Sequence, residues 1–221
     1  MPRESRKALK QRALVIRERL DAAYPDATCA LHWRSPLELL VATILSAQTT
    51  DEAVNKVTPG LFNKYTTVGS FAGADPAQLE QDIASIGLFR NKTRSIIGAA
   101  QAILDRFGGE VPPCMADLLT LPGVARKTAS VVLGTAFEIA DGIVVDTHVS
   151  RLSVRMALTP PQTTKAVNTD RIERDLMALI PREHWISFGH CMVWHGRRIC
   201  QARKPLCPEC TVADICPKVG V

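Results

Sequence analysis

The sequence predicts an all-α protein built from two helical lobes. Helix-start signals, each a capping residue ahead of apolar residues at helical spacing, recur about every fifteen residues. The alternation of apolar and polar residues that marks a half-buried strand is nearly absent. The apolar run at residues 143–145 is the exception, and three residues are too few to found a sheet.

The first predicted helix lies near the N-terminus. Leu9, Ala13, Ile16 and Leu20 recur at helical spacing, which indicates an amphipathic helix. The same segment is rich in arginine, so an organelle transit peptide is the alternative interpretation.

The next helices are predicted from their capping residues. Residues 35–38, Ser-Pro-Leu-Glu, form a capping box that opens a helix running to about Gln48. Residues 75–78, Asp-Pro-Ala-Gln, form a second capping box with proline at the first helical position. Asn91 is a candidate cap for a helix that ends at residues 108–109, a pair of glycines.

The chain divides most simply into residues 30–138, a helical core, and a second lobe made of residues 1–29 and 139–221. At 221 residues with 46% apolar content it can bury a substantial core. No stretch reaches the roughly 18 consecutive apolar residues of a membrane span. We expect a soluble, cytoplasmic protein, and its net charge of +5 suits a polyanionic partner.

Four cysteines near the C-terminus form the strongest signal in the sequence. Their pattern, C-x6-C-x2-C-x5-C, places four thiolates in a short segment: Cys200, Cys207, Cys210 and Cys216. The spacing favours an iron-sulfur cluster, and zinc remains the alternative because four thiolates also bind that ion. Between the first two of these cysteines, Arg203 and Lys204 lie on a short loop that a bound metal would fix and present to phosphate; a solvated surface loop is the alternative. The other cysteines are expected to be small buried apolar residues: Cys29, Cys114 and Cys191.

A tight turn at residues 121–129, Leu-Pro-Gly-Val-Ala-Arg-Lys-Thr-Ala, predicts a helical hairpin. Pro-Gly forces the chain to turn, and the next helix starts at about Ala125 with its first amides unpaired. Those amides and the helix dipole form an anion site suited to DNA phosphate. Lys127 falls in the first helical turn, where the dipole disfavours an ammonium and so favours a nucleophilic amine; plain phosphate binding is the alternative.

An aspartate follows the extended apolar run. Asp146 precedes a helix, so by itself it is expected to be an N-cap, a position that does not exclude chemistry. His148 can cap, bind phosphate or pack, and we do not assign it to catalysis.

These motifs, in this order, resemble those of the endonuclease III family of helix-hairpin-helix DNA glycosylases. The hairpin LPGVARKTA, the segment VDTH and the cysteine pattern match the family, as do ILSAQTTD at residues 44–51 and SIGLFRNK at residues 85–92. The similarity extends from about residue 30 to residue 216. It implies the helix-hairpin-helix glycosylase fold, with a 4Fe-4S cluster in one lobe.

The resemblance also implies roles for individual residues. Lys127 is the Schiff-base nucleophile and Asp146 the catalytic carboxylate, while Gln48 and Leu88 fill the gap left by an extruded nucleotide. The implied partner is double-stranded DNA containing damaged pyrimidines or abasic sites, bound by a monomer. The expected DNA contacts are Gln48, Leu88, Gly123, Ala125, Arg126, His148, Arg203 and Lys204.

Two positions depart from the family pattern. Ala125 stands where glycine is usual, which is compatible with a phosphate-binding backbone if the angles there suit alanine. Phe89 replaces a common tyrosine. Two other functions compete: a monofunctional mismatch glycosylase, which Lys127 disfavours, and a non-catalytic DNA-binding module with zinc.

Overall fold

The computed structural model describes residues 4–161 and 167–221, and every regular element in those ranges is helical. The all-α prediction is confirmed, and residues 143–145 form no strand. Two short 3-10 turns, Arg182–His184 and Cys207–Glu209, accompany the α-helices. The α-helices of the described residues are α1 Arg6–Ala23, α2 Pro36–Ser46, α3 Asp51–Lys64, α4 Val68–Ala72, α5 Pro76–Asp82, α6 Phe89–Phe107, α7 Met115–Leu118, α8 Arg126–Ala136, α9 Thr147–Arg155, α10 Thr169–Leu179 and α11 Trp185–Arg198.

The chain forms two compact units. The first is continuous, Cys29–Asp141, and the second joins Met1–Thr28 to Gly142–Val221. Each has its own apolar core. None of the helices in the described ranges combines the length and apolar character that a membrane crossing needs.

The continuous unit is organised around α2. This helix buries residues on every side, from Leu39 to Leu45, and packs against α3, α6 and α8. Helix α6 in turn packs against α4 and α5, with Ile96 and Ile103 buried in the core. The hairpin is carried by α8, whose buried face contains Val132.

The discontinuous unit brings both ends of the chain together. Helix α1 packs against α10 and α11, and α9 packs against the same two helices. Ile16 and Leu20 of α1 are fully buried beside Phe188 and Met192 of α11. The amphipathic first helix is thus confirmed, with Ser5 as its N-cap.

The predicted capping boxes form only in part. Ser35 accepts a hydrogen bond from the Glu38 backbone N–H at 3.3 Å. The Glu38 carboxylate, however, accepts from the backbone N–H of Arg34 at 2.7 Å, because the Arg34 guanidinium also binds it. Likewise, Asp75 caps α5, but the side chain of Gln78 donates to Asp82. The sequence spacing therefore identified the N-caps, Ser35 and Asp75, but not the hydrogen-bond partners of the Glu38 and Gln78 side chains.

Two local predictions were wrong. Asn91 does not cap α6, because the helix has already begun: the backbone N–H of Asn91 donates to Leu88 at 3.0 Å. Its side chain accepts instead from Arg94. Cys114 is not a buried apolar residue but is exposed, because it lies at the N-cap of α7; Cys29 is half-buried, and Cys191 is buried as expected.

Candidate functional site

The turn between α7 and α8 is held tightly against α6. Gly123 has a left-handed φ of 76°, and a Cβ there would lie 2.4 Å from Cβ of Ser95. A Cβ on Gly98 of α6 would lie 3.2 Å from Pro122. Glycine is therefore required at position 123 by both backbone conformation and space.

The N-terminus of α8 carries the backbone groups expected to bind phosphate. Ala125 is the N-cap, with φ −91° and ψ 169°, and no side chain caps the helix. These angles are ordinary for alanine, so its presence in place of glycine introduces no backbone strain. The first helical hydrogen bond runs from Ala129 N–H to the Ala125 carbonyl at 3.0 Å. The amides ahead of Ala129 have no helical acceptor and, with the dipole, make this end attractive to anions.

The two cations of this first turn have different surroundings. Lys127 is the second residue of α8 and its side chain is exposed, so it is accessible to a large substrate. Arg126 is also exposed but forms an ion pair with Asp141 at 3.8 Å. A phosphate bound by Arg126 would have to share the guanidinium with that carboxylate.

Gln48 and Leu88 share an uncommon backbone conformation. Their φ angles are 55° and 60°, in the left-handed region that non-glycine residues enter at a cost of about 1–2 kcal/mol. Both side chains are exposed, and Leu88 is 56% accessible to solvent. Leu88 is therefore not a core residue. Glu138, Ala157 and Lys218 also have positive φ angles, so this backbone conformation by itself does not identify a functional residue.

Asp146 is the N-cap of α9. Its carboxylate accepts a hydrogen bond from the Val149 backbone N–H at 2.8 Å, and the residue is half-buried. The predicted cap is confirmed. A carboxylate held in this way has a fixed orientation and a second oxygen that can contact a ligand.

His148 packs between α9 and α11. A Cβ on Gly196 would lie 2.9 Å from its ring, and Arg151 lies 3.2 Å from Nδ1. Burial lowers the pKa of His148, Arg151 and Arg197 lower it further, and Asp146 opposes them. A neutral ring can contact phosphate only as a hydrogen-bond donor, not as a cation.

The four clustered cysteines border one cavity. Its empty volume, including space open to solvent, is about 340 Å³. Among the described residues, no group of three or more His, Cys, Asp or Glu side chains is arranged to hold a single metal ion. The lining residues are Arg155, Met156, His195, Ile199, Cys200, Pro205, Cys207, Cys210, Ala213, Cys216, Lys218 and Val221.

A buried histidine contacts one of these cysteines. His195 is fully buried; its Nε2 lies 3.4 Å from Cys210 Sγ and its Nδ1 lies 2.9 Å from the hydroxyl of Tyr24. Burial lowers the pKa of His195 to about 4 and raises the pKa of the Cys210 thiol. Sequence reasoning missed the contact between Tyr24 and His195, because the two residues are far apart in the chain and belong to no common motif.

Two arginines of α9 fix the loop that follows Cys200. Arg155, 9% exposed, donates to the carbonyls of Gln201 and Ala202, each at 2.7 Å. Arg151 donates to the Cys200 carbonyl at 3.0 Å. Arg203 and Lys204 follow directly on this anchored backbone, and both are exposed. The arginines were not singled out from the sequence, although their spacing of four residues places them on one face of α9.

Known proteins resemble this chain over almost its full length. Residues 41–181 match the model of the HhH-GPD superfamily base excision DNA repair proteins. Endonuclease III of Synechocystis sp. is 55% identical over 94% of this chain and 93% of its own length. Endonuclease III of Escherichia coli K12 is 39% identical over 94% of this chain and 95% of its own.

Solved structures give the same result. A structure described as a trapped endonuclease III–DNA covalent intermediate superposes with a TM-score of 0.87 at 42% identity, covering 95% of this chain and 96% of its own. A thermostable thymine-DNA glycosylase, with a TM-score of 0.83, covers 95% of this chain and 97% of its own; at 23% identity it supports the fold alone. Together with the order of the motifs and the helical hairpin, these similarities show that the chain belongs to the endonuclease III family of the HhH-GPD superfamily.

Proposed function

We propose that this chain is a bifunctional enzyme that excises oxidised pyrimidines from duplex DNA through Lys127 and then cuts the strand on the 3′ side of the lesion. As a member of its family it is a base excision repair DNA glycosylase with AP lyase activity. The observation that carries the finer proposal is an exposed lysine in the first turn of α8, directly after the Pro-Gly turn.

Lys127 is the proposed nucleophile. Its amine attacks C1′ of the deoxyribose, the N-glycosidic bond breaks, and the departing base takes the electron pair and a proton. The amine nitrogen loses a proton, and its lone pair then opens the sugar ring: the C1′–O4′ bond breaks, O4′ takes a proton, and a protonated imine forms between C1′ and Lys127. The imine makes the C2′ proton acidic, and its removal breaks the 3′ C–O bond with phosphate as the leaving group. The covalent intermediate described for the relative with a TM-score of 0.87 is consistent with such chemistry.

Asp146 is the proposed catalytic carboxylate. It stabilises positive charge as the glycosidic bond weakens and assists proton movements around the amine. Its hydrogen bond to Val149 N–H fixes one oxygen, so the group is oriented before DNA arrives. Orientation in advance is what gives a charged group its effect in a transition state.

Gln48 and Leu88 are the proposed wedges. Extruding a nucleotide costs a few kcal/mol, and side chains that enter the vacated stack offset part of that loss. One wedge is polar and suits hydrogen bonding to an orphaned base, whereas the other is apolar and suits stacking. Their exposure and left-handed backbones support this assignment.

The remaining DNA contacts are proposed to hold the phosphate backbone. The amides around Gly123 and Ala125 bind through the helix end, and Arg126 and His148 contribute side-chain donors. Arg203 and Lys204 add a second basic segment on the loop anchored by α9. Two solved relatives are described as endonuclease III–DNA complexes, which supports duplex DNA as the partner. We further propose that the chain acts as a monomer on duplexes with damaged pyrimidines or abasic sites.

The four cysteines are proposed to hold a 4Fe-4S cluster. The spacing of the four cysteines and the cavity that all four border support this proposal. The Arg155 guanidinium, 3.4 Å from Cys200 Sγ, offsets the negative charge of bound thiolates. When bound, the cluster supplies a rigid link between four cysteines that lie outside the described α-helices. Cys200, Cys207, Cys210 and Cys216 would then fix the loop carrying Arg203 and Lys204.

Borohydride trapping tests the nucleophile. Reduction of the imine should join wild-type protein to a lesion-containing duplex, and Lys127→Gln should form no adduct because it has no amine. Lys64→Gln is the matched control, since Lys64 lies in the same unit and pairs with Asp82. An undiminished adduct in Lys127→Gln would rule out our assignment.

A further inference from the structure

Lys92 is a buried lysine that no part of the proposed chemistry uses. It lies on α6, is 4% exposed, and donates through Nζ to the Leu45 carbonyl at 2.7 Å and to Thr49 Oγ1 at 2.9 Å. These two acceptors lie on either side of Gln48 in the sequence. The side chain therefore bridges α6 to the segment that carries the polar wedge.

The same residue is bonded to the apolar wedge through its backbone. The Lys92 N–H donates to the Leu88 carbonyl at 3.1 Å, as part of the first turn of α6. Lys92 thus contacts the Leu88 residue itself and both flanks of Gln48.

Both wedges need such support. Gln48 and Leu88 have left-handed backbones, and a non-glycine residue stays in that conformation only where its surroundings enforce it. Thr49 N–H donates to the Ser46 carbonyl at 3.0 Å and the Thr49 hydroxyl donates to the Ala47 carbonyl at 3.4 Å, which gives the Gln48 turn two local bonds. The Lys92 ammonium adds two long-range bonds that local sequence does not supply.

Stability alone does not explain a buried amine at this position. Burying an amine is unfavourable, and desolvation lowers the pKa of Lys92 accordingly. A methionine of similar length would fill the same space without that penalty. The retained polar group therefore points to a demand for directional bonds rather than for packing.

We propose that Lys92 is a positioning residue that fixes the position of Gln48 relative to Leu88, so that both side chains enter the duplex together when a nucleotide leaves the stack. This inference rests on the proposed wedge roles of those two residues. Loops that are already ordered lose less conformational entropy on insertion. The benefit applies only to complexes in which the wedges are inserted, so it favours DNA with a gap in the stack over undamaged DNA.

The test compares affinity for two duplexes, one with a stable tetrahydrofuran abasic analogue and one undamaged, measured by fluorescence anisotropy. Lys92→Met should weaken binding to the analogue about tenfold, as expected from one or two side chains that must now be ordered on binding. Binding to the undamaged duplex should stay at the wild-type value. Thr49→Val removes one acceptor of Lys92 together with the hydroxyl's own bond to the Ala47 carbonyl, and leaves Lys92 in place; it should show a smaller loss of the same kind. Thr49→Ser, which keeps the hydroxyl, should bind as the wild type does, and this pair decides the question if Lys92→Met does not fold.

A double-mutant cycle separates this proposal from the wedge assignment. Leu88→Ala and Gln48→Ala should each reduce preference for the analogue, and Lys92→Met should add little in the Gln48→Ala background, because it removes only the side-chain bonds on either side of Gln48. If the wedge variants keep full preference, the proposed function is wrong at those residues. If they lose it while Lys92→Met and Thr49→Val keep it, or if the losses from Lys92→Met and Gln48→Ala simply add, the positioning role is overturned.

Discussion

Asp146 shows how one side chain can have a structural and a chemical role. One carboxylate oxygen caps α9 through Val149 N–H, as the sequence alone predicts. The proposed role in catalysis depends on the charge of the group, whereas the cap depends only on an acceptor oxygen. Substitutions can therefore separate the two roles.

Asp146→Asn should fold as stably as the wild type and turn over poorly. Asparagine caps helices about as well as aspartate, whereas Asp146→Ala should lower the free energy of unfolding by about 1 kcal/mol. Both variants lack the carboxylate, so single-turnover excision should fall by about 10²–10⁴ in each. Chemical denaturation and excision from a lesion duplex are the two measurements. Wild-type turnover by Asp146→Asn would leave Asp146 as a cap only.

Gly123 and Ala125 form a natural pair for testing the hairpin. Gly123→Ala should destabilise the protein by about 1–3 kcal/mol, because its φ is 76° and the new Cβ would meet Ser95. Its DNA affinity should fall as the turn shifts. Ala125→Gly, in contrast, should stay within a few tenths of a kcal/mol of wild type, since either residue accepts the angles there. Equal melting temperatures for the two variants would contradict this account of the turn.

At the scale of elements, α9 links two features that lie far apart in the sequence. Asp146 caps its first turn, and Arg151 and Arg155 reach from its later turns to Cys200 and the loop beyond. The helix therefore holds the backbone on which Arg203 and Lys204 lie.

Arg155→Met should release that loop and weaken DNA binding. The carbonyls of Gln201 and Ala202 lose their donors, so the following cations are no longer held toward phosphate. The log-log dependence of affinity on salt should become shallower by about 0.9 for each phosphate that the loop no longer binds. Arg203→Ala, which removes a cation directly, is the reference, and visible absorbance checks that the cluster is retained. An unchanged salt slope in Arg155→Met would show that the loop keeps its position without the guanidinium.

Local rules predicted the helices better than their side-chain partners. Ser35, Asp75 and Asp146 were recognisable as caps because an N-cap depends on neighbours within three residues. The helix beginning at Phe89 was misplaced to Asn91 because its N-cap, Leu88, lacks a capping side chain. Lys92 was also missed, since its partners are set by tertiary packing rather than by spacing.

At the scale of the whole molecule, motif order was more informative than any one site residue. The cysteine pattern and the hairpin identified the family before the fold was known, because metal ligation and a Pro-Gly turn need fixed spacings. The contact of His195 with Cys210 could not be predicted from the sequence. His195 lies outside the cysteine pattern, and tertiary packing brings the two side chains together.

Cys210→Ser should abolish the cluster. The purified wild type should be yellow-brown and contain iron, and Cys210→Ser should be colourless and less stable to heat, because three remaining thiolates leave one corner of the cubane unligated. Cys114→Ser is the matched control, since Cys114 is exposed and lies in the other unit. A colourless wild type that contains zinc would overturn the cluster assignment.

The discontinuous unit has a consequence for how the protein is made. Helix α1 leaves the ribosome first, yet Arg19 bonds to Asp214 and Tyr24 to His195, near the opposite end of the chain. Translation adds about 5–20 residues per second, so α1 waits many seconds for these contacts. Cys29–Asp141 emerges in between, with a complete apolar core of its own. The nascent chain can therefore fold its middle before its ends, and the proposed cluster can form only after the cysteines at residues 200–216 have been synthesised.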